Sequence, residues 1–350
     1  MSNTKAYAAF NQADHLKPHS INRREPGACD VHIDIEYCGV CHSDIHIAHD
    51  DWGMTVYPVV PGHEIIGRVK SVGDKVSKFK AGDLVGVGCM VDSCRECGPC
   101  QNHLEQHCEQ GMVMTYGSED PHQPGNMTHG GYSTQIVVDQ DFVLRVSEDL
   151  DTKSVAPLLC AGITTYSPLR QWNVKAGDKV GVIGLGGLGH MGVKLAAAMG
   201  AEVVMITTSP EKGEDAKRLG AASVLVSKDE AAMEAHAGSF DFLLNTIPVA
   251  HNLDAYIPLL KLGKTMSLLG ATQIDCHSIG LAFGRKMIAA SLIGGIKETQ
   301  EMLDFCAEHN IVADVEMIDM QDINQAYQRV MDSDVKYRFV IDMQSLKTAQ

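Results

Sequence analysis

The chain has 350 residues, 45% hydrophobic and 21% charged, a globular composition that argues against disorder and, at this length, for two domains. A formal net charge of −15 opposes the clustered cationic surface that nucleic acid or an anionic membrane would require. No apolar run approaches the roughly 20 residues that span a bilayer, and MSNTKAYAAF lacks the basic-then-apolar order of a signal peptide. Eleven cysteines without such a signal point to metal ligands and free thiols in a cytoplasmic protein.

From the N-terminus the chain reads as β-rich. Short alternating runs at Val31–Ile35, Gly67–Val72, Leu84–Val87 and Gln135–Val138 are separated by Gly, Asp and Pro, which suggests a folded-over sheet or partly open barrel. Within it, CGVCHSDIH and the later GHE place Cys41, His63 and Glu64 as sulfur, nitrogen and oxygen donors of the kind zinc accepts. Two strong donors do not complete a site, so a further ligand must come from elsewhere.

Cys94, Cys97 and Cys100 follow in short chelate loops, and Cys108 closes the group. Four thiolates at this spacing predict a structural zinc with no position left for substrate. An iron–sulfur cluster also uses closely spaced cysteines.

The character of the chain then changes. The apolar run Val180–Ile183 enters GLGGLG, whose Gly184, Gly186 and Gly189 hold the GxGxxG register, with Gly187 and Leu188 between them. A helical pattern through Met199 and a second strand, Val203–Ile206, supply the strand–turn–helix–strand context of a dinucleotide site. There the helix N-terminus faces the pyrophosphate. Alternation continues with a helix over Glu211–Leu219 and strands near Ser223–Val226, Phe240–Thr246, Thr265–Leu269 and Ser291–Ile293. The expected architecture is α/β plus β: a first domain over 1–150 completed by 295–350, and an inserted doubly wound parallel-sheet (Rossmann) domain over 151–294. A helix near 298–310 and a strand Tyr337–Ile341 belong to the returning segment.

A dinucleotide fold that selects NAD usually carries an acid at the tip of its second strand. Here that tip is Thr207-Thr208-Ser209-Pro210, and the nearest acids, Glu202 and Glu211, lie before the strand and beyond the turn. The hydroxyls of Thr208 and Ser209 and the charge of Lys212 suit a 2′-phosphate, so NADP(H) is expected. Helix capping by Thr208 and Ser209 is the plainer alternative.

Cys160, in APLLCAGITTYSPL at the domain junction, could reach a metal held by Cys41 and His63, although on composition alone such a cysteine is more often a buried core thiol. In this order, CGVCHSDIH, GHEIIGRVKSVG, CRECGPC with its following Cys, LLCAGITTYSPL and GLGGLG resemble the zinc-dependent medium-chain alcohol dehydrogenases. LLCAGITTYSPL and GGIKETQEMLDFCAEHNI are most similar to the cinnamyl alcohol dehydrogenase branch of NADP-dependent aldehyde reductases. The resemblance covers essentially the whole chain. It implies a GroES-like catalytic domain, a catalytic zinc on Cys41, His63 and Cys160, and Glu64 coordinating transiently. It further implies Asp44 behind His63, a proton route through Ser43 to His46, and Trp52 in the substrate pocket. Thr164 and Arg338 would contact the cofactor, Arg338 near its phosphates. Two zinc ions per chain, a small-molecule aldehyde or alcohol substrate and a homodimer follow from the same resemblance. An NAD-dependent polyol or secondary-alcohol dehydrogenase, and a non-catalytic zinc-stabilised nucleotide-binding protein, are the alternative readings.

Overall fold

The computed structural model describes residues 2–348. The chain divides into two compact units, one comprising the residues up to Cys160 and those from Gly294 onward, the other Ala161–Ile293. The first division thus falls ten residues later than the sequence boundary after 150. The reason is local: Thr152–Val155 and Ala156–Leu159 coil into helical turns whose Val155, Leu158 and Leu159 are buried. Leu159 lies over Gly86 so closely that a Cβ there would stand 3.1 Å from its Cδ1. These turns therefore belong to the core of the first unit, and they carry Cys160 with them.

The first unit is built on a seven-stranded sheet. Its order is Val315–Asp319, Arg338–Asp342, Asp30–Gly39, Ile65–Val72, Leu84–Val87 and Leu144–Arg145, with Gln135–Asp139 also pairing with Asp30–Gly39. The ten-residue strand Asp30–Gly39 is its spine, and alternation puts Val31, Ile33 and Ile35 into the core at 0% exposure. Bulges between His32 and Ile33 and between Ile35 and Tyr37 bend this strand. Its start then pairs with Gln135–Asp139 and its end with Arg338–Asp342. Among the described residues the two outer strands are not partners of each other, so the barrel is open. At one edge the Gln300 side chain imitates a strand, accepting from Arg145 N at 2.8 Å and donating to its carbonyl at 3.1 Å. The helix Ile323–Met331 and the strand Val315–Asp319 were not foreseen in the returning segment.

The second unit is a six-stranded sheet in which every pairing is parallel. Its order is Ser223–Val226, Glu202–Thr207, Lys179–Ile183, Phe240–Asn245, Leu260–Leu268 and Met287–Ala290. Numbered by sequence within the sheet this is 3-2-1-4-5-6, the dinucleotide-binding order, with its switch point beside Lys179–Ile183. Two elements differ from the sequence reading. The last strand is Met287–Ala290, because its ladder ends where Ser291 N reaches Leu268 O, before the expected Ser291–Ile293. The helix expected over Glu211–Leu219 is split, with Pro210–Lys212 a tight turn and Gly213–Arg218 helical, since proline fixes the turn's first residue.

The glycine turn has a steric basis. Gly184 has φ +92°, a conformation that side chains disfavour, and a Cβ on Gly189 would stand inside the van der Waals radius of the Gly184 carbonyl oxygen. Gly186 would meet nothing within 4 Å. Gly189→Ala is therefore expected to lower unfolding stability by about 1–3 kcal/mol and to weaken nucleotide binding. Gly186→Ala should leave the denaturation midpoint unchanged. Identical denaturant curves for wild type and Gly189→Ala would contradict the steric account.

Candidate active site

The four cysteines of the first set converge. The sulfurs of Cys94, Cys97, Cys100 and Cys108 all lie within 4.8 Å of one another, with Cys94 and Cys100 at 3.9 Å. A tetrahedron of Zn–S bonds of about 2.3 Å requires sulfurs roughly 3.8 Å apart. Thiolates this close embrace one ion and leave no room for a cluster of several irons. Backbone amides complete the fit: Cys94 N points to Cys108 Sγ and Cys97 N to Cys94 Sγ, each at 3.4 Å, and Glu109 N to Cys97 Sγ at 3.5 Å. Glu105 anchors the lobe by accepting from Ile296 N at 3.0 Å.

The second set gathers distant residues. Cys41, His63, Glu64 and Cys160 also present ligand atoms within 4.8 Å of one another, with Cys41 and Cys160 sulfurs at 3.9 Å. Cys41 ends the loop after Asp30–Gly39 and caps the helix His42–Ala48, its amide donating to Asp44 Oδ2 at 2.9 Å. Asp44 is fully buried, and its Oδ1 accepts from Gly62 N and from His63 Nδ1, both at 3.0 Å. An ionised carboxylate only accepts, so Nδ1 carries the imidazole proton and Nε2 is left as the ligating nitrogen. Burial lowers the His63 pKa, but the Asp44 charge overrides this and raises it well above the usual range. The hydrogen bond from Cys160, and then His63, hold Cys41 well below the ordinary thiol range, while Cys160 is raised by the same contact. Two sulfurs 3.9 Å apart, one held below and one above the ordinary thiol range, suit a pair that a single cation would bridge.

Glu64 is 0% exposed and closes the set from behind. Arg338 and Glu64 form a buried ion pair, and Arg338 Nη2 also donates to Val40 O at 2.8 Å. Burial, the larger effect, outweighs Arg338 and lifts Glu64 to about 7. Its Oε2 is buried without a partner among the described residues, a free oxygen at the donor set. Arg338, expected near cofactor phosphates, is thus a buried residue whose first partner is a carboxylate of the metal-fit group.

Ser43 Oγ lies 3.8 Å from Cys41 Sγ. His46, one helical turn on, has Nδ1 2.7 Å from Asp51 Oδ2, and its ring centroid is 5.3 Å from Trp52. Trp52 is exposed in a loop fastened to the helix end by Thr55 Oγ1 to Ile47 O and Tyr57 OH to Ala48 O. In the second unit, Thr164 is buried on the helix Ala161–Gln171. Gly184, Gly186, Gly187, Leu188 and Gly189 form the turn, and Thr208 and Ser209 follow the strand Glu202–Thr207. Lys212 Nζ reaches back to the Leu185 carbonyl at 3.4 Å, beside that turn. Sequence reasoning missed Asp51, Tyr116, whose hydroxyl is 3.2 Å from His63 Nδ1, and Thr246, which braces the Ile183 and Gly184 carbonyls at 2.9 and 3.0 Å. The spacing of ligands marks none of them: Tyr116 acts through a partner remote in sequence, Thr246 through backbone, and Asp51 through His46, five residues away and itself no ligand.

Sulfur, nitrogen and oxygen donors within reach of one cation, on a chain that also folds a dinucleotide sheet, describe a metal-assisted dehydrogenase. Residues 27–148 match the alcohol dehydrogenase GroES-like domain, and residues 187–308 match the zinc-binding dehydrogenase domain. The sequence is 57% identical to aldehyde reductase YahK of Escherichia coli over 346 residues, covering 98% of this chain and 99% of the relative. It is 52% identical to NADP-dependent alcohol dehydrogenase C 1 of Mycolicibacterium smegmatis, covering 99% and 100%. A solved cinnamyl alcohol dehydrogenase from Sorghum bicolor superposes with a TM-score of 0.94 at 43% identity, covering 100% of this chain and 99% of that one. The chain belongs to the zinc-dependent alcohol dehydrogenases, oxidoreductases of the alcohol–aldehyde couple.

Asp44→Asn would turn an amide N–H or a weaker acceptor toward His63 Nδ1. Loss of such a partner typically weakens metal binding about 10–100-fold. Elemental analysis after dialysis against a mild chelator should fall from two zinc ions per chain toward one, the thiolate zinc remaining. Retention of both ions under the same dialysis would contradict the role given to Asp44.

Proposed function

We propose that this protein reduces aldehydes, aromatic ones such as cinnamaldehyde or aliphatic ones, to primary alcohols with NADPH. The observation that carries the cofactor choice is the tip of Glu202–Thr207. It presents Thr208 and Ser209 with no acid between them, and Lys212 is held at the glycine turn by its contact with Leu185 O. Two hydroxyls and an ammonium suit the extra phosphate of NADP(H), and a carboxylate that would bind a 2′-hydroxyl is lacking there. The Mycolicibacterium relative is itself an NADP-dependent alcohol dehydrogenase, which agrees.

Bound zinc on Cys41, His63 and Cys160 would supply Lewis acidity to the substrate oxygen, and NADPH the hydride. The chain's own residues handle the proton. Ser43, beside Cys41, passes a proton to the nascent alcohol oxygen, and His46, poised by Asp51 at the surface, replenishes it from solvent. Trp52, Met54 and Val56 are exposed on the loop next to His46, an apolar lining that favours bulky aldehydes over polyols.

We also read the protein as a cytoplasmic homodimer. No helix among the described residues is long and apolar enough to cross a membrane, and none of the eleven cysteines is in a disulfide. Met287–Ala290 is an outer strand of the parallel sheet, and nearby Phe283, Ile279, Met287 and Leu292 are 88%, 59%, 49% and 49% exposed. An unpaired strand edge flanked by apolar side chains is a surface that a second copy would cover.

Steady-state oxidation of NADPH and NADH with cinnamaldehyde and short aliphatic aldehydes tests the reading. Turnover is expected to be at least tenfold more efficient (kcat/KM) with NADPH. Preference for NADH would overturn the 2′-phosphate argument, and no turnover by protein holding both zincs would overturn aldehyde reduction. For the assembly, analytical ultracentrifugation should report a dimer in wild type and a shift toward monomer in Phe283→Asp. A monomeric wild type would refute the interface.

A further inference from the structure

Tyr116 belongs to the neighbourhood of the donor set without being a ligand or a proton carrier. Its side chain is buried, its ring centroid lies 5.7 Å from that of His63, and its hydroxyl is 3.2 Å from His63 Nδ1. Asp44 Oδ1 approaches the same nitrogen at 3.0 Å. Since Nδ1 carries the proton, the tyrosine oxygen accepts a share of that N–H alongside the carboxylate. One acceptor fixes a distance; a second at the same nitrogen restricts rotation of the imidazole about its bond to the chain.

The segment that carries Tyr116 is itself pinned. Thr115 donates its amide to Cys89 O at 3.1 Å and its hydroxyl to Gly88 O at 2.5 Å. Thr128 Oγ1 donates to Met114 O at 2.9 Å, and Gly117 N to Thr128 O at 3.1 Å. Cys89 in turn donates its thiol to Leu159 O at 3.6 Å, next to Cys160. A short stretch thus connects the backbone beside one ligand to the side chain of another.

We infer that Tyr116 is a positioning residue for His63: with Asp44, its hydroxyl holds the imidazole in the orientation from which Nε2 joins Cys41 and Cys160. The inference rests on the zinc-dehydrogenase reading and specifies how its ligand set is held. It extends to the loop that bears the tyrosine, because Thr115 sets the position from which the hydroxyl acts.

Zinc release from the intact protein to a colorimetric chelator tests it without recourse to activity. Wild type should release one zinc per chain from the open set in a fast phase and the four-thiolate zinc in a slow one. In Tyr116→Phe the fast phase should accelerate about tenfold or more, the range of outer partners of metal-bound histidine. The slow phase and the melting temperature should stay as in wild type. The visible absorption of the cobalt-substituted protein should shift at the open set. An unchanged fast phase would overturn the inference, as would acceleration of both phases together with a lower melting temperature. Should Tyr116→Phe fail to fold, Thr115→Val should show the same selective acceleration to a smaller degree, and its absence would overturn the inference. A wild type that holds only the thiolate zinc would overturn the underlying reading and this inference together.

Discussion

A single buried carboxylate organises the catalytic side of the molecule. Asp44 is 0% exposed and gathers Cys41 N, Gly62 N, His63 Nδ1 and, at 3.3 Å, Tyr132 OH. A charge taken out of water is tolerated only when its lone pairs are satisfied, and these donors come from three separate stretches. The cost of removing any one stretch therefore falls on Asp44 directly. Much of the surrounding backbone serves this convergence. Gly62 holds φ +103°, and a Cβ there would come within 2.7 Å of the Tyr132 ring and 2.9 Å of Cys38 Sγ. The segment from Gly130 is laid against Val60–Gly62 by three backbone hydrogen bonds of 2.7 to 2.9 Å, which is what delivers Tyr132 to the carboxylate.

The charges around the donor set make sense as preparation for a cation. Two sulfurs 3.9 Å apart, a glutamate lifted to about 7 and the Asp44 carboxylate lie in a region with little solvent. Arg338 pairs directly with Glu64 and His63 offsets it further, and the close approach of Glu64 to Gly39 leaves no space for a side chain there. Such a concentration of acceptors is destabilising unless a positive ion joins it, so metal binding and completion of this fold are linked. The same reasoning explains why the histidine must ligate as a neutral base although Asp44 raises its proton affinity: a divalent ion competes with the proton for Nε2.

The legible part of this protein was its local chemistry. The four-cysteine run, the glycine turn and the strand Ser223–Val226 stand where spacing and periodicity placed them, because each is specified by neighbours in sequence. Alternating strand and helix patterns and the right-handed crossover make the sheet parallel and doubly wound, while the order 3-2-1-4-5-6 is set by the structure. The first division shifted to Cys160 because helical turns over 152–159 carry too few residues to show a period, and only their burial assigns them to the first unit. The pairing of Arg338 with Glu64 and the role of Tyr116 were opaque for another reason. An arginine in a strand and a tyrosine in a loop look ordinary until folding sets them against Glu64 and His63, residues 274 and 53 positions away.

That contrast separates the two metal sets as well. The four-thiolate ligands span fifteen residues, from Cys94 to Cys108, and their amide-to-sulfur bonds are made within that same span or one residue beyond it. Closing so short a loop costs little entropy, so this lobe can bind its ion before the sheet is complete. Cys41 and Cys160 are separated by 119 positions, and their meeting depends on the sheet of Asp30–Gly39, Ile65–Val72 and Leu84–Val87 and on Leu159 packed against Gly86. Zinc at the thiolate set therefore stabilises a local fold, whereas zinc at Cys41, His63 and Cys160 selects the finished one. An ion that binds only the completed arrangement finds its reactive position already oriented by Asp44, which is the arrangement a catalyst requires.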